Sequence, residues 1–156
     1  MAGNFESKKL YQGYSTCFRQ WKAEDTHCKF LHGYGVSFEV TFSGDLDERN
    51  WIFDFGGLKR TDLKIEGKNP IDYFKWLFDH TVIIAEDDPE REKFMHLEKA
   101  GVIQLRLVEA AGCEQFAKLI YDKLNPVIVR QSNGRSKIKS VRFCEHERNS
   151  ATYFGN

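Results

Sequence analysis

The strongest constraint on the fold is a strict alternation of apolar and polar residues between Val36 and Ser43. The apolar positions are Val36, Phe38, Val40 and Phe42, and the polar positions are Ser37, Glu39, Thr41 and Ser43. Because successive side chains of a β-strand point to opposite faces, this pattern predicts a strand with one face on a core and the other toward water or polar groups. Aromatic and β-branched residues predict a second strand at Leu10 to Trp21, and an Asn133-Gly134 turn signal precedes a last strand at Lys137 to Glu145.

Two segments have helical periodicity. The first begins at Asn69-Pro70, a capping residue followed by proline at the first helical position, and contains Ile71, Phe74, Leu77 and Phe78. The second has its apolar stripe at Cys113, Phe116, Ala117, Ile120 and Leu124. Asn125-Pro126 is expected to end or kink this helix, although Val127 and Ile128 continue the stripe, so its end stays open.

The order of these elements predicts an α+β fold, because the helices do not alternate with the strands one by one. We expect one domain over residues 1–156, with a four-stranded antiparallel sheet and two helices on one face. Apolar character resumes at 51–55 after a polar connection, and the acidic run at 85–92 is interpreted as a solvated loop or helix start. A small open sheet has unpaired edges, which favours edge-to-edge assembly.

Composition excludes several classes of function. The chain of 156 residues has 23 basic and 23 acidic side chains and therefore no formal net charge. Proteins that coat nucleic acid or an anionic membrane carry net or clustered positive charge, so neither partner is expected. Without an apolar run of about 18 residues the chain is expected to be soluble and cytoplasmic. Its 4 cysteines lie far apart, as expected for free thiols in a reducing compartment.

Three clusters of residues have the chemical character of a site. Cys28 stands just before the alternating strand with Lys29 beside it, where positive charge stabilises a thiolate; the alternative is a small core residue. Asp79 and His80 end the first helix and offer a proton acceptor with an orienting carboxylate, or only a histidine favoured by the helix dipole. Glu145, followed by His146 and Glu147, is either a solvated strand end or a bidentate acceptor.

In order and spacing, these clusters resemble the 6-pyruvoyltetrahydropterin synthase and 6-carboxytetrahydropterin synthase family over nearly the whole chain. The match comprises Cys28-x-x-Leu31-His32-Gly33, Ile52-Phe53-Asp54-Phe55-Gly56-x-Leu58-Lys59, Phe78-Asp79-His80, the helix from Glu114 to Leu124, and Glu145 eight residues before Tyr153. The resemblance implies the tunnelling fold, in which sheets of several subunits join into a barrel. It also implies a homo-oligomer, a hexamer, with active sites between subunits.

The same resemblance implies the roles of the residues. Cys28 is the proton-transferring thiolate, His80 its partner from another chain, Asp79 the orienting carboxylate, and Glu145 the anchor for the aminopyrimidine edge of a pterin. The substrate is 7,8-dihydroneopterin triphosphate, from which triphosphate is eliminated; in the 6-carboxy branch acetaldehyde also leaves, on the route to queuosine. Cationic candidates for the triphosphate are Arg19, Lys22, Lys29, Lys59 and Arg60.

The chain departs from the family at the zinc ligands. Family members hold zinc with three histidines, one four residues after a phenylalanine and two in a His-Gly-His. Here Lys22 follows Phe18 at that spacing, and the second motif reads His32-Gly33-Tyr34, so His32 is the one family ligand that is kept. Either His27 or Cys28 joins His32 in a rearranged site, or the ammonium of Lys22 takes the cation position with Tyr34 as hydrogen-bond donor. We favour the second, metal-free arrangement.

The leading prediction is therefore a lyase of the 6-carboxytetrahydropterin synthase type that acts on a small pterin in deazaguanine synthesis. The alternatives are 6-pyruvoyltetrahydropterin synthase activity, a pterin-binding protein that has lost its chemistry with the zinc, and a zinc-independent aldolase-like activity on dihydroneopterin. Retention of Cys28, Asp79 and His80 favours an enzyme, since a binding protein needs no thiol base.

Overall fold

The computed structural model describes residues 4–156. Along the chain, strands occur both before and after every helix. The strands are β1 (Glu6–Phe18), β2 (His32–Gly44), β3 (Thr81–Ala85), β4 (Leu105–Val108), β5 (Ser136–His146) and β6 (Asn149–Phe154). The helices are α1 (Gly57–Arg60), α2 (Pro70–Phe78), α3 (Arg91–Lys99) and α4 (Cys113–Gln131), and a 3-10 turn spans His27–Lys29. The six strands form one sheet in the order β4-β3-β1-β2-β5-β6.

The sheet is mixed, which corrects the prediction of four antiparallel strands. β1, β2, β5 and β6 pair antiparallel, as the sequence predicts. β3 runs parallel to β1, and β4 runs parallel to β3, with α3 as the crossover between them. The sequence pattern did not predict this β-α-β unit. Both strands are short, and their residues are continuously apolar or mixed, without the alternation of apolar and polar residues that identifies β2.

The core lies between the antiparallel strands and the helices α2 and α4. The predicted inward positions of β2, from Val36 to Phe42, are at most 1% exposed. Phe38 is opposite Tyr11 on β1 and Phe143 on β5, and its ring packs against Phe74 of α2. A second cluster on the other face of the sheet brings Phe94 of α3 against Val82 and Ile84. The prediction of helices on one face is therefore wrong for α3.

Both predicted helices exist, and one is longer than expected. Asn69 caps α2 by accepting a hydrogen bond from the Ile71 backbone N–H at 2.9 Å, with Pro70 at the first helical position. In α4, Pro126 lies inside the helix. Val127 and Ile128 are buried in the core, and their burial holds the helix together beyond the proline.

Local boundaries also differ from the predictions. β1 begins at Glu6 and ends at Phe18 rather than running from Leu10 to Trp21. Residues 51–55 form no strand. Ile52 and Phe53 lie in a loop, but their side chains are buried, and the Phe53 ring stacks on the Phe42 ring with centroids 5.1 Å apart. Among residues 4–156, none of the helices has the length and apolar character needed to cross a membrane.

Candidate active site

Cys28 lies in the 3-10 turn between β1 and β2. Its backbone N–H donates to the Oγ1 atom of Thr26 at 3.2 Å, and its carbonyl accepts a hydrogen bond from the Gln20 backbone N–H at 2.8 Å. The thiol is free and half-buried. The turn therefore presents Cys28 at the entrance of a rigid strand, where a side chain is both positioned and accessible.

Four aromatic side chains meet at the entrance of β2 beside this turn, those of Phe18, His32, Tyr34 and His146. The His32 Nδ1–H donates to the Phe30 carbonyl at 2.7 Å, which leaves Nε2 as the free nitrogen of the neutral ring. The ring of Tyr34 lies between two imidazoles, with centroid distances of 5.3 Å to His32 and 5.3 Å to His146. The Phe18 ring lies on the core side of this group, with its centroid 4.9 Å from that of His32.

Glu145 lies beside this group at the end of β5. Its Oε1 atom accepts a hydrogen bond from the Asn149 side-chain amide at 3.0 Å. The Cys113 thiol at the start of α4 lies near Glu145, and burial followed by the charge of this carboxylate raises the pKa of Cys113 to about 12. Burial, then the charges at Glu145, Cys28 and Cys113, raise the pKa of Tyr34, so its phenol stays a neutral hydrogen-bond donor.

Asp79 and His80 form a second group at the start of β3. The Asp79 Oδ1 atom accepts a hydrogen bond from the Ser15 backbone N–H at 3.1 Å and lies 3.1 Å from the His80 Nδ1 atom. Burial raises the Asp79 pKa, but the bonds from Ser15 and His80 outweigh it and leave that pKa below its usual value. The carboxylate is therefore charged at neutral pH and orients the imidazole.

The backbone of His80 is unusual. Its φ angle is 58°, in the left-handed region that residues other than glycine rarely adopt. Two hydrogen bonds hold it there, from the His80 N–H to the Ser15 carbonyl at 2.6 Å and from the Gln104 amide to the His80 carbonyl at 2.9 Å. The His80 side chain remains 78% exposed. Strained backbone of this kind is common where a side chain must be aimed at a ligand.

The two groups occupy different surfaces of one chain. His80 lines an open groove of about 480 Å³, whose floor includes Gly33 and Gly35. These glycines alternate with the core-facing Tyr34 and Val36, so the groove is on the sheet face away from the core. Among residues 4–156, no hydrogen bond, ion pair or ring contact joins Cys28 to His80. Tyr34 lies within electrostatic range of Cys28 and Glu145 and also lines the groove of His80, but within residues 4–156 no contact joins Cys28 or Glu145 to the Asp79-His80 pair.

Two of the predicted cations, Lys22 and Arg60, have acidic partners. The Lys22 ammonium is 74% exposed and lies 3.7 Å from the Asp87 carboxylate, above the ring of Trp21. Its position beside His32 and Tyr34 stays a prediction. Arg60 pairs with Asp54.

A zinc ion does not fit the donors that the chain offers. Within residues 4–156 there is no group of three His, Cys, Asp or Glu side chains arranged to hold a metal. The combination of His27 or Cys28 with His32 is therefore not assembled as a ligand set. Catalytic zinc sites ordinarily need three protein ligands, and the described residues do not bring three together.

Several site residues were missed in the sequence. Ser15, Gln104 and Asn149 contact Asp79, His80 and Glu145 respectively, but no sequence spacing singles them out before the strand pairing is known. Asn149 had one available signal, since it follows Glu145 by four residues across a tight hairpin. Cys113 was interpreted only as part of an apolar stripe.

Comparison with known proteins adds to this geometry. The model of the 6-pyruvoyl tetrahydropterin synthase family matches residues 8–156. The chain belongs to this family. Comparison with curated proteins gives no match.

Solved structures of 6-pyruvoyltetrahydropterin synthases share the fold. The Plasmodium vivax enzyme is 14% identical, with a TM-score of 0.64 over 98% of this chain and 99% of that one. The Caenorhabditis elegans enzyme is 19% identical, with a TM-score of 0.62 over 97% and 96%. An uncharacterized protein of Wolinella succinogenes, WS1659, is 17% identical, with a TM-score of 0.75 over 100% and 99%. Known members of the 6-pyruvoyl tetrahydropterin synthase family are lyases.

Proposed function

We propose that the chain is a cytoplasmic lyase that converts 7,8-dihydroneopterin triphosphate to a tetrahydropterin, of the 6-carboxytetrahydropterin synthase type, in queuosine synthesis. Family membership supports the pterin chemistry. The observation that carries the proposal is that Tyr34, whose ring contacts His32 and His146, lies within electrostatic range of Cys28, Cys113 and Glu145 of the same chain. A base, a neutral donor and a carboxylate anchor are the groups that this reaction needs.

Glu145 is proposed to bind the aminopyrimidine edge of the pterin. A carboxylate can accept two parallel N–H bonds, a geometry that selects this ring edge over heterocycles lacking it. The amide of Asn149 fixes the orientation of the carboxylate. The ring is thereby held with its side chain extending toward Cys28.

Cys28 and the Asp79-His80 pair are proposed to move the protons. The Cys28 thiolate removes a proton from a carbon of the substrate side chain, and the electron pair of that bond expels triphosphate as the C–O bond breaks. His80, with its Nδ1–H directed at Asp79, returns a proton from Nε2 during the following tautomerisation. In the 6-carboxy branch, water then adds to the side-chain carbonyl next to the ring, the C–C bond between the two carbonyl carbons breaks, and the released two-carbon fragment takes up a proton and leaves as acetaldehyde. Because the two groups lie apart in one chain, His80 is supplied by a neighbouring subunit.

Tyr34 is proposed to polarise the side-chain oxygens of the substrate. Its raised pKa keeps the phenol protonated, so it donates a hydrogen bond where negative charge develops. Lys22 is proposed to bind phosphate, since its exposed ammonium lies on the loop that carries Cys28.

Assembly into a hexamer is part of the proposal. β1 pairs with β3 only through Thr16 to Phe18, so along this edge its preceding residues have no partner strand within the described part of the chain. β6 forms the opposite edge of the sheet. Pairing between such edges in different copies supports a barrel in which His80 of one subunit reaches Cys28 of another.

The direct test is incubation of the purified protein with 7,8-dihydroneopterin triphosphate, with triphosphate and acetaldehyde measured as products. We expect release of both by the wild type and at least a hundredfold slower release by Cys28→Ala. Tyr34→Phe is expected to slow release about tenfold, whereas Tyr121→Phe, a phenol on α4, leaves it unchanged. Triphosphate without acetaldehyde would indicate 6-pyruvoyltetrahydropterin synthase activity instead.

A pterin-binding protein without catalysis is the second candidate. It is favoured by the donor set, which does not fit the zinc of the family. Binding of a pterin that depends on Glu145, with no triphosphate released by the wild type, would establish this alternative and exclude the lyase.

A further inference from the structure

Asp88 lies in the acidic run between β3 and α3, a segment whose sequence pattern indicates no function. Its side chain is fully buried, unlike that of the neighbouring Asp87, which is 58% exposed. The Asp88 Oδ1 atom accepts a hydrogen bond from the Glu90 backbone N–H at 2.9 Å, which fixes the carboxylate within its own loop. A buried carboxylate requires a charged or strongly donating partner.

That partner is Arg19, the first residue after β1. The Arg19 Nε–H donates to Asp88 Oδ2 at 2.7 Å and the Nη2–H donates to Oδ1 at 2.9 Å, so the pair is bidentate. The Arg19 side chain is 18% exposed. A guanidinium held in this way also fixes the direction of its Nη1 donors. Arg19 is therefore not available as a cation for the triphosphate.

The Nη1 group of Arg19 is directed at the turn that carries Cys28. The Nη1–H donates to the Lys29 carbonyl at 3.2 Å. The next residue along, Gln20, donates its backbone N–H to the Cys28 carbonyl at 2.8 Å. Arg19 and Gln20, in the segment that Asp88 holds, therefore bind two consecutive carbonyls, those of Cys28 and Lys29.

We propose that Arg19 and Asp88 are positioning residues that hold the Cys28 turn in the geometry needed for proton transfer. The catalytic consequence rests on the proposed function, whereas the holding of the turn does not. An ion pair buried between two loops adds little net stability, because desolvation offsets the attraction. Its specific effect is geometric: it connects the β3–α3 loop to the backbone beside Cys28.

The test uses two variants and a matched control. Arg19→Lys keeps the charge but loses the planar fork, and Asp88→Asn removes the charge that holds the fork. Asp87→Asn changes the adjacent acidic residue, which contacts the Trp21 and Lys22 side chains instead. Two measurements need no substrate: amide hydrogen exchange of residues 28–30, and the rate at which iodoacetamide alkylates Cys28, located by peptide mass spectrometry.

We expect amide exchange at 28–30 to accelerate at least tenfold in Arg19→Lys and Asp88→Asn, with a changed Cys28 alkylation rate, and neither to change in Asp87→Asn. With the pterin triphosphate, kcat is expected to fall about tenfold or more while KM stays within about twofold, because ring binding by Glu145 is untouched. A purely structural role would instead lower the folded fraction without changing exchange at the turn specifically.

Several results would overturn the proposal. Unchanged exchange at 28–30 in both variants would show that the pair does not hold the turn. Global unfolding of Arg19→Lys beside a folded Asp87→Asn would show that the pair serves the whole fold. A loosened turn in a protein that releases no triphosphate would retain the positioning role and remove the proposed function, so the two failures are distinguishable.

Discussion

The carboxylate of Asp79 and the imidazole of His80 contact each other through Oδ1 and Nδ1, 3.1 Å apart, although the two residues are consecutive in the chain. Neighbouring side chains in an extended strand point to opposite faces and would not meet. The left-handed backbone of His80 permits the contact, and bonds from Ser15 and Gln104 hold that backbone in place. The orienting pair is therefore complete within one subunit.

The lowered pKa of Asp79 predicts a pH dependence of stability. A carboxyl group whose pKa is lower in the folded than in the unfolded state stabilises the fold above its unfolded-state pKa, and this contribution is lost as the pH falls through the folded-state pKa. We expect Asp79→Ala to lower the free energy of unfolding by about 1–3 kcal/mol at pH 7, and the difference to shrink below about pH 4. Urea unfolding at pH 7 and at pH 3 measures this difference in the free energy of unfolding. Asp62→Ala, at an exposed position, serves as control. An equal difference at pH 7 and pH 3 would contradict the assignment.

The left-handed backbone of His80 predicts a difference in stability between two variants that are both expected to be inactive. Glycine adopts a φ of 58° without steric cost, whereas alanine does not. His80→Gly is therefore expected to be more stable than His80→Ala by about 1 kcal/mol, while both lose the imidazole and with it the activity. Chemical denaturation of the two proteins compares their free energies of unfolding. If alanine is as stable as glycine, the His80 backbone is not strained in the protein.

Glu145 predicts a loss of pterin affinity. Glutamine offers one acceptor oxygen instead of two and no negative charge, so Glu145→Gln is expected to raise the Kd for a pterin by about tenfold to a hundredfold. Fluorescence titration with a pterin measures this binding without turnover. Glu147→Gln, two residues further along in the hairpin, should bind as the wild type does. Equal affinities of the two variants would place the anchor elsewhere.

The raised pKa of Cys113 predicts that its thiol resists alkylation. A helix N-terminus ordinarily lowers the pKa of a cysteine, but burial and the charge of Glu145 raise that of Cys113 to about 12. At pH 8 its reaction with iodoacetamide is therefore expected to be slow. Removal of the negative charge in Glu145→Gln should accelerate it several-fold, as peptide mass spectrometry can show. Rapid alkylation of Cys113 in the wild type would contradict its position near Glu145.

Elements with a strong local signal could be predicted from the sequence. The alternation in β2 and the Asn69-Pro70 start of α2 depend on neighbouring residues only, and both are confirmed. The extension of α4 past Pro126 could not be predicted, because it depends on the burial of Val127 and Ile128 against the sheet. The β3-α3-β4 unit likewise owes its place to pairing with β1 rather than to any pattern of its own.

The candidate site was predictable in its chemical groups but not in its supports. The roles of Cys28, Asp79, His80 and Glu145 follow from motif order, and they stay predictions. The direction of Lys22 toward Asp87 could not be read from its spacing, since a long exposed side chain takes whichever partner the neighbouring loop offers. The burial of Asp88 could not be predicted for a different reason: its partner Arg19 is 69 residues away in the chain.

Hybrid assemblies test the central claim most directly. Cys28→Ser and His80→Ala are each expected to release almost no triphosphate from 7,8-dihydroneopterin triphosphate. If one site takes its thiol from one subunit and its imidazole from the next, dissociating, mixing and reassembling equal amounts restores both groups in about one site in four, and with them about a quarter of wild-type release. Mixed assemblies as inactive as either variant alone would contradict a site shared between subunits.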